Sequence, residues 1–341
     1  MRVAMYYNNK DVRIEEMDIP QIGPDELLVK IWASGICGSD VLEWYRVPKA
    51  PRVLGHEIAG EIAQVGKNIT KWKEGDRVIV SHHVPCDVCR YCLAGHHAVC
   101  DTLKSTNFDP GGFSEFVRVP AINVRNGVFA LPDSMSYEQA IFTEPLACVY
   151  RGQLHAGWQP GRRVLVIGSG IAGLLHIALA KAAGASKIIA VDIDDHRLEA
   201  ARKFGADEAL LAAEDLPERL KAVNDDRLAE LVIVATGATP ALHQAFHTVD
   251  RGGTILFFAP SDPDARVEMP FNHWWWQEVT ITSSYAGSPR DILAALELIS
   301  SGRVAVDDMI THRLPLARTV EGFGMVSEAA ESIKVVVEPQ K

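Results

Sequence analysis

The pattern of apolar positions divides the chain into three parts, and the first, residues 1–145, is rich in short strands. Apolar and polar residues alternate in "DELLVKIWASG", "HEIAGEIAQVG", "GDRVIVSHH" and "GGFSEFVRVP", and Gly, Pro and Asn separate these runs. A period of two between turn residues is typical of β-strands. The pattern therefore predicts a β-rich domain.

Residues 146–290 show a different pattern, in which strands and helices alternate. "VLVI" and "KIIAV" are continuous apolar runs, as expected for a parallel sheet that is covered on both faces. Apolar residues between them recur at helical spacing, and "LAELVIVATG", "GGTILFFAP" and "EVTITSSYAG" continue the series of strands. The interpretation is an α/β domain with a doubly wound parallel sheet.

The last part, residues 291–341, opens within a predicted helix, "RDILAALELISSG", and later contains the apolar strand "IKVVVEP". We expect this part to return to the β-rich domain. The doubly wound domain would then be an insertion in that domain.

The sequence "GSGIAG", residues 168–173, follows the first apolar strand of the second part and opens the predicted helix. A G-x-G-x-x-G motif in this context is typical of a dinucleotide site. Gly168 makes the tight turn, Gly170 lets the backbone approach a pyrophosphate, and Gly173 lets helix and strand pack closely. Ile171 and Ala172 begin the helix, whose free N–H groups favour phosphate.

Asp192 ends the next predicted strand and indicates which cofactor is bound. A carboxylate at this place accepts hydrogen bonds from a ribose 2′-OH and repels a 2′-phosphate, which favours NAD over NADP. Arg197 keeps NADP open as an alternative, because its side chain could reach a 2′-phosphate instead of packing on the adenine ring.

Composition and charge argue against several classes of function. The 341 residues carry a net charge of −10 without a cluster of Lys and Arg, so neither nucleic acid nor an anionic membrane is an expected partner. The sequence contains no run of eighteen apolar residues and no apolar signal segment near Met1. We therefore expect a cytoplasmic protein with reduced thiols.

Four of the six cysteines lie close together in residues 80–101, in the spacing C-x2-C-x2-C-x7-C. Reduced thiols argue against disulfides, and four thiolates form a closed tetrahedral site for a structural zinc; unconnected thiols or a redox pair are the alternatives. The predicted ligands are Cys86, Cys89, Cys92 and Cys100. The neighbouring histidines are interpreted as loop residues, since four thiolates fill the zinc shell: His82, His83, His96 and His97.

A second group of possible metal ligands is spread along the chain. Cys37 lies in "GICGSD", His56 and Glu57 lie in "LGHEIAG", and Glu144 lies in "FTEPLACVY". Each residue alone is equally well a core or surface side chain. Together they supply one thiolate, one imidazole and one or two carboxylates, which suits a catalytic zinc with an open position for substrate.

These motifs, in this order, resemble the zinc-dependent medium-chain dehydrogenases/reductases over essentially the whole chain, and "GHE" and "EPLA" resemble the polyol, threonine and sugar-phosphate branch. The resemblance implies a GroES-like catalytic domain with an inserted Rossmann domain, two zinc ions per chain, and a homo-oligomer, dimer or tetramer, built partly by pairing Rossmann sheet edges. It implies a catalytic zinc surrounded by Cys37, His56 and Glu57 or Glu144, with one carboxylate acting through water or exchanging during turnover. Cys148 is the alternative to Glu144.

The resemblance also implies a reaction. Zinc acts as a Lewis acid on the substrate hydroxyl, hydride passes to the nicotinamide, and Ser39 relays the substrate proton. Two departures from the family stand out. Leu42 occupies the place of a histidine that carries the proton onward in many relatives, which leaves water or Glu43. Ala286 and Gly287 occupy the place of an Arg-Tyr pair found in sorbitol-type enzymes.

Aromatic residues are the candidates for contacts with substrate. Trp44, Tyr45 and Trp275 can stack on sugars or line an apolar pocket. The three adjacent tryptophans 274–276 cannot all face one cleft, so at least one should belong to the core or to a subunit interface.

The predicted function is NAD- and zinc-dependent hydride transfer to or from a secondary alcohol, chiefly a polyol, sugar or cyclitol. The alternatives are an L-threonine or amino-alcohol dehydrogenase and an NADP-dependent ketone reductase. The acidic composition and the intact glycine motif argue against a non-enzymatic zinc-binding module.

Overall fold

The structure is a computed structural model that describes residues 1–329 and 331–341. The strands are β1 (Arg2–Asn8), β2 (Asp11–Glu16), β3 (Leu27–Gly35), β4 (Arg52–Val53), β5 (Glu57–Val65), β6 (Arg77–Val80), β7 (Phe116–Val119), β8 (Val128–Ala130), β9 (Arg163–Ile167), β10 (Lys187–Asp192), β11 (Glu208–Leu211), β12 (Ala229–Val234), β13 (Val249–Phe257), β14 (Thr280–Ser283), β15 (Ile310–Pro315) and β16 (Lys334–Glu338).

The helices are shorter in the first part of the chain than in the second. They are α1 (Glu43–Arg46), α2 (Arg90–Leu93), α3 (Asp101–Ser105), α4 (Ala121–Gly127), α5 (Tyr137–Ala140), α6 (Thr143–His155), α7 (Ile171–Ala182), α8 (Asp195–Phe204), α9 (Leu216–Val223), α10 (Thr239–Thr248), α11 (Phe271–Gln277), α12 (Pro289–Ser300) and α13 (Thr319–Glu328). None of the helices in the described ranges is long and apolar enough to cross a membrane.

The chain forms two compact units, and the second interrupts the first. One unit is Met1–Ala147 together with Ala286–Lys341, and the other is Cys148–Tyr285. The boundaries predicted from the sequence lie after residues 145 and 290. The order of the units is that of an inserted domain.

The first unit contains a mixed sheet with the strand order β15-β16-β3-β5-β6-β8, and β7 also pairs with β3. Strand β16 lies between its parallel neighbour β15 and its antiparallel neighbour β3. The predicted alternation is incomplete in β3, where Lys30 and Trp32 are the only residues that are not buried. Because β3 has partners on both edges and is covered on both faces, it is a central strand rather than a half-exposed one.

The second unit is a six-stranded parallel sheet with the order β11-β10-β9-β12-β13-β14. The continuous apolar runs of the sequence are its central strands, and β9 and β12 are almost completely buried. The strand order reverses between β9 and β12, which creates the crevice where doubly wound sheets bind ligands. The predicted doubly wound α/β fold is confirmed.

Candidate active site

The turn after β3 places Cys37 at the start of a short 3₁₀ helix, Gly38–Val41. The Cys37 sulfur accepts a hydrogen bond from the Ser39 N–H at 3.4 Å, and the Cys37 N–H donates to Asp40 Oδ2 at 3.2 Å. The Cys37 side chain therefore caps this helix. The two bonds fix the thiol and the Asp40 carboxylate relative to each other.

His56 and Glu57 lie where the chain enters β5, directly after Gly55. Gly55 has φ +91°, and a Cβ there would lie 2.8 Å from the backbone nitrogen of Phe113. Only glycine fits this conformation and this close approach, so the turn that presents His56 and Glu57 depends on it.

One ligand atom each from Cys37, His56 and Glu57 lies within 4.8 Å of the others. No local sequence feature brings Cys37 to His56 and Glu57, and the pairing of β3 with β5 does so. A thiolate, an imidazole and a carboxylate suit zinc, so the residues present fit this metal.

Glu144, the fourth predicted ligand, lies in the first turn of α6 and is half-buried. It does not belong to the close group of Cys37, His56 and Glu57 among the residues the structure describes. Cys148 lies one turn further along the same helix and is half-buried as well. The choice between these ligands therefore stays a prediction.

His56 lies beside the buried carboxylate of Asp40 and the thiol of Cys37. Its Nδ1 atom lies 3.4 Å from Asp40 Oδ1, and Asp40 is fully buried. Burial alone would lower the pKa of His56, but Asp40 and the Cys37 thiol outweigh it and raise the pKa well above the ordinary value. Burial likewise would raise the pKa of Asp40, yet His56 and Arg46 hold it below its ordinary value. These negative groups favour a cation at this place.

Lys334 is a buried partner of Glu57 that sequence reasoning missed. Both side chains are almost completely inaccessible, Lys334 Nζ contacts Glu57 Oε2, and it also donates to the carbonyl oxygen of Ile36 at 3.2 Å. A Cβ at Gly35 would collide with both charged side chains, so glycine leaves the room for this ion pair. The signal in the sequence is a single lysine in the apolar segment "IKVVVEP".

His82 and His83 lie in the loop after β6, and His82 packs against His56, one of the predicted metal ligands. The ring centroids of His56 and His82 are 4.9 Å apart, and those of His82 and His83 are 3.9 Å apart. Burial, followed by the nearby His83 and His56, lowers the pKa of His82 well below its ordinary value, and burial lowers the pKa of His83 to about 4. Both imidazoles are therefore neutral at physiological pH.

The sulfurs of Cys86, Cys89, Cys92 and Cys100 all lie within 4.8 Å of one another. The Cys89–Cys92 and Cys86–Cys100 sulfur distances are 3.5 and 3.6 Å. A tetrahedral zinc with bonds of about 2.3 Å requires sulfurs about 3.8 Å apart. The donor set and its spacing therefore fit a closed structural zinc site.

The cysteine lobe has almost no apolar core of its own. Its buried cluster consists of Cys92, Cys100 and Leu103, with two more cysteines and Ala286 against it. Backbone N–H groups of Cys86 and Leu103 overcome the effect of burial and lower the pKa of Cys100 to about 6, whereas burial and Cys89 raise that of Cys92 to about 12. A lobe with so little apolar burial is of the kind that a bound metal stabilises.

The glycine motif has the geometry of a dinucleotide site. Gly168 has φ +94°, and a Cβ on Gly173 would collide with the carbonyl oxygen of Gly168, so neither position accepts a side chain. Asp192 ends β10, and its Oδ2 atom accepts a 2.6 Å hydrogen bond from the Ser169 N–H. A Cβ on Gly170 would lie 2.8 Å from Arg197 Nη1, which places the guanidinium over the glycine loop.

The aromatic residues that were predicted to contact substrate differ in their exposure and packing. Trp44 is 44% exposed, and Tyr45 packs under Lys49, whose Nζ is 3.5 Å from the ring centroid. Trp274 belongs to the core of the second unit, as expected for at least one of the three tryptophans, whereas Trp275 is 64% exposed.

A β-rich domain with two groups of possible zinc ligands, interrupted by a parallel-sheet domain with a glycine motif, is typical of the class of zinc-dependent dehydrogenases. Residues 23–133 match the family described as the alcohol dehydrogenase GroES-like domain, and residues 172–301 match the family described as zinc-binding dehydrogenase.

Individual relatives agree with this assignment. The sorbitol dehydrogenase of Bacillus subtilis (strain 168) is 33% identical, over 100% of this chain and 98% of the relative. The alcohol dehydrogenase TADH of Thermus sp. ATN1 has a TM-score of 0.88 and 31% identity, over 99% of both chains. A putative zinc-binding dehydrogenase of Sinorhizobium meliloti 1021, solved with NADP, has a TM-score of 0.87 and 26% identity, over 99% of both chains. The chain belongs to the zinc-dependent medium-chain dehydrogenase/reductase family.

Proposed function

We propose that the protein is an NAD-dependent zinc dehydrogenase that interconverts a secondary alcohol, of the polyol, sugar or cyclitol class, and its ketone. The observation that carries this proposal is the close group of Cys37, His56 and Glu57 in a chain that also holds the glycine motif. The relative named sorbitol dehydrogenase supports the choice of polyols.

The proposal assigns a task to each residue of the site. Zinc, when bound, polarises the substrate oxygen, and NAD, when bound, exchanges a hydride with the substrate carbon. Cys37, His56 and one carboxylate, Glu57 or Glu144, hold the metal. Asp40 orients the imidazole of His56, as a carboxylate behind a zinc-bound histidine does in general. Ser39 accepts the proton of the substrate hydroxyl.

Asp192 is the residue proposed to select NAD. Its second oxygen, Oδ1, accepts hydrogen bonds from the backbone N–H groups of Ile193 and Asp194, so the carboxylate is fixed at the end of β10. A fixed carboxylate there binds ribose hydroxyls and repels a 2′-phosphate. The Arg197 guanidinium above the loop favours NADP instead, and the relative solved with NADP keeps this alternative open.

The test is reduction of NAD or NADP, followed by absorbance, with zinc-loaded protein and a panel of polyols, simple secondary alcohols, aldoses, inositols and threonine. We expect activity with one polyol-like class and NAD. Replacing Asp192 by alanine should shift the preference towards NADP, and R197A should leave the preference for NAD unchanged. Activity with NADP alone, or with threonine alone, would overturn the cofactor or the substrate part of the proposal.

The proposal includes a homo-oligomer in a reducing compartment such as the cytoplasm. Strand β14 is the last strand in the order of the parallel sheet, and three of its four residues are exposed. An edge strand of this kind offers free backbone groups for pairing with a second copy. The four thiols of the cysteine lobe bind zinc only when reduced. Sedimentation velocity distinguishes a monomer from the expected dimer or tetramer.

A further inference from the structure

The side chain of Arg46 extends from the end of α1 back to the residues that follow Cys37. Its Nε atom donates to the carbonyl oxygen of Ser39 at 2.9 Å, and Nη2 donates to Ser39 Oγ at 3.2 Å. Nη2 also lies 3.1 Å from Asp40 Oδ1. The side chain is only 12% exposed, so these contacts are not those of a mobile surface arginine.

The position of the guanidinium is fixed from two sides. Asp40 is fully buried and is itself held by the Cys37 N–H and by His56. The guanidinium carbon also lies 4.7 Å from the centroid of the Tyr45 ring. An arginine held by a buried carboxylate and an aromatic face keeps its planar fork in one orientation.

This geometry determines how the Ser39 hydroxyl is used. A guanidinium donates hydrogen bonds but never accepts them, and it stays charged. Ser39 Oγ must therefore accept from Arg46, which leaves one lone pair and its own proton for other partners. In that state the hydroxyl can accept the substrate proton while it gives its own proton to solvent water.

We propose that Arg46 is a positioning residue for the reaction: anchored by Asp40, its guanidinium holds the Ser39 hydroxyl in the orientation needed for proton transfer. This inference rests on the proposed function. It also explains how the reaction proceeds with Leu42 in place of a proton-carrying histidine. Arg46 orients the Ser39 hydroxyl but does not carry the proton, which passes from that hydroxyl to solvent water.

The first experiment is a double-mutant cycle on the zinc-loaded full-length protein with R46A, S39A and the double variant. Arg318, which pairs with Glu321 on the surface, provides the matched control R318A. Loss of an outer partner of a metal site reduces activity about 10–100-fold. We expect R46A to lose kcat to this extent with little change in KM, and the double variant to be no slower than S39A. R318A should equal the wild type.

Two further measurements separate positioning from a structural role. Methylguanidinium should restore the activity of R46A but not of the double variant, and R46K, which keeps the charge but not the fork, should have intermediate kcat. The inference is overturned if R46A or R46K keeps the wild-type kcat. It is also overturned if R46A reduces kcat by the same factor in the wild type and in S39A.

A binding assay keeps the inference testable if the panel of alcohols shows no turnover. The Kd of trifluoroethanol, an alcohol that resists oxidation, is measured from the visible spectrum of the cobalt-substituted protein. We expect R46A to weaken binding only when Ser39 is present. If R46A weakens trifluoroethanol binding only in the presence of Ser39 but no alcohol is turned over, the proposed function is rejected and the role of Arg46 is kept. If alcohols are turned over normally and the effect of R46A on binding does not depend on Ser39, the role of Arg46 is rejected and the proposed function is kept.

Discussion

Replacing Lys334 by methionine is expected to destabilise the metal-free protein more than the zinc-loaded protein. Lys334 is fully buried, and its partners are the Glu57 carboxylate and the Ile36 carbonyl oxygen. Methionine has a similar length but no charge, so K334M leaves Glu57, which is 1% exposed, without its cation. Removing one partner of a buried ion pair costs about 3–5 kcal/mol in the free energy of unfolding.

Zinc should reduce this loss because Glu57 belongs to the close group of predicted ligands. A divalent cation beside the carboxylate supplies the positive charge that the variant lacks. We therefore expect K334M to lose about 3–5 kcal/mol in the free energy of unfolding without metal, and clearly less with zinc bound.

The assay is urea denaturation followed by circular dichroism, with and without zinc. The double variant E57Q/K334M is the control, because it removes both charges and should recover most of the stability that K334M loses. The reasoning is refuted if K334M and the wild type unfold at the same urea concentration without metal, or if the double variant is less stable than K334M.

Two other predictions concern the cysteine lobe and a buried histidine. C92S should reduce the zinc content from the expected two ions per chain to one and make residues 80–101 sensitive to protease. The affinity for NAD should stay unchanged. Two zinc ions per chain in C92S would contradict the structural zinc site. Burial lowers the pKa of His176 to about 3, against about 6.5 in an unfolded chain. Below pH 6.5 the unfolded state therefore binds a proton that the folded state does not. Stability decreases towards pH 3 by about 1.4 kcal/mol per pH unit from this group. H176L should reduce the slope of unfolding free energy against pH by that amount, and an unchanged slope would contradict the reasoning.

Features encoded by neighbouring residues were predictable from the sequence. The apolar strands, the helix after Gly168 and the position of Asp192 at the end of β10 agree with the structure, because period and turn chemistry are local properties. The proximity of the four cysteine sulfurs also followed from short spacings. The assignment to a branch of the family, and the prediction that Cys37 lies close to His56, depended on the family resemblance and not on the spacing of residues.

The contacts that surround the predicted ligands were not predictable in this way. Lys334 and Glu57 are separated by 277 positions and meet only because β16 is inserted beside β3. Arg46 is seven positions from Ser39, but the 3₁₀ helix Gly38–Val41 and α1 are separated by the extended Leu42, so no single helical period links the two. Histidines 82 and 83 are loop residues, and they become half-buried beside His56 only through the fold around them.

The position of β16 in the sheet has a consequence for synthesis on the ribosome. Domains fold largely as units while the chain emerges. The inserted unit, Cys148–Tyr285, is complete before β16 is translated, yet β16 lies between β15 and β3 in the first unit's sheet and carries the lysine that neutralises Glu57. The first unit therefore cannot complete its sheet until the second unit has been synthesised. Until then β3 lacks its partner β16, and the Glu57 carboxylate lacks its lysine. Ribosome-bound chains halted before residue 334 should contain a folded nucleotide domain and an open metal pocket.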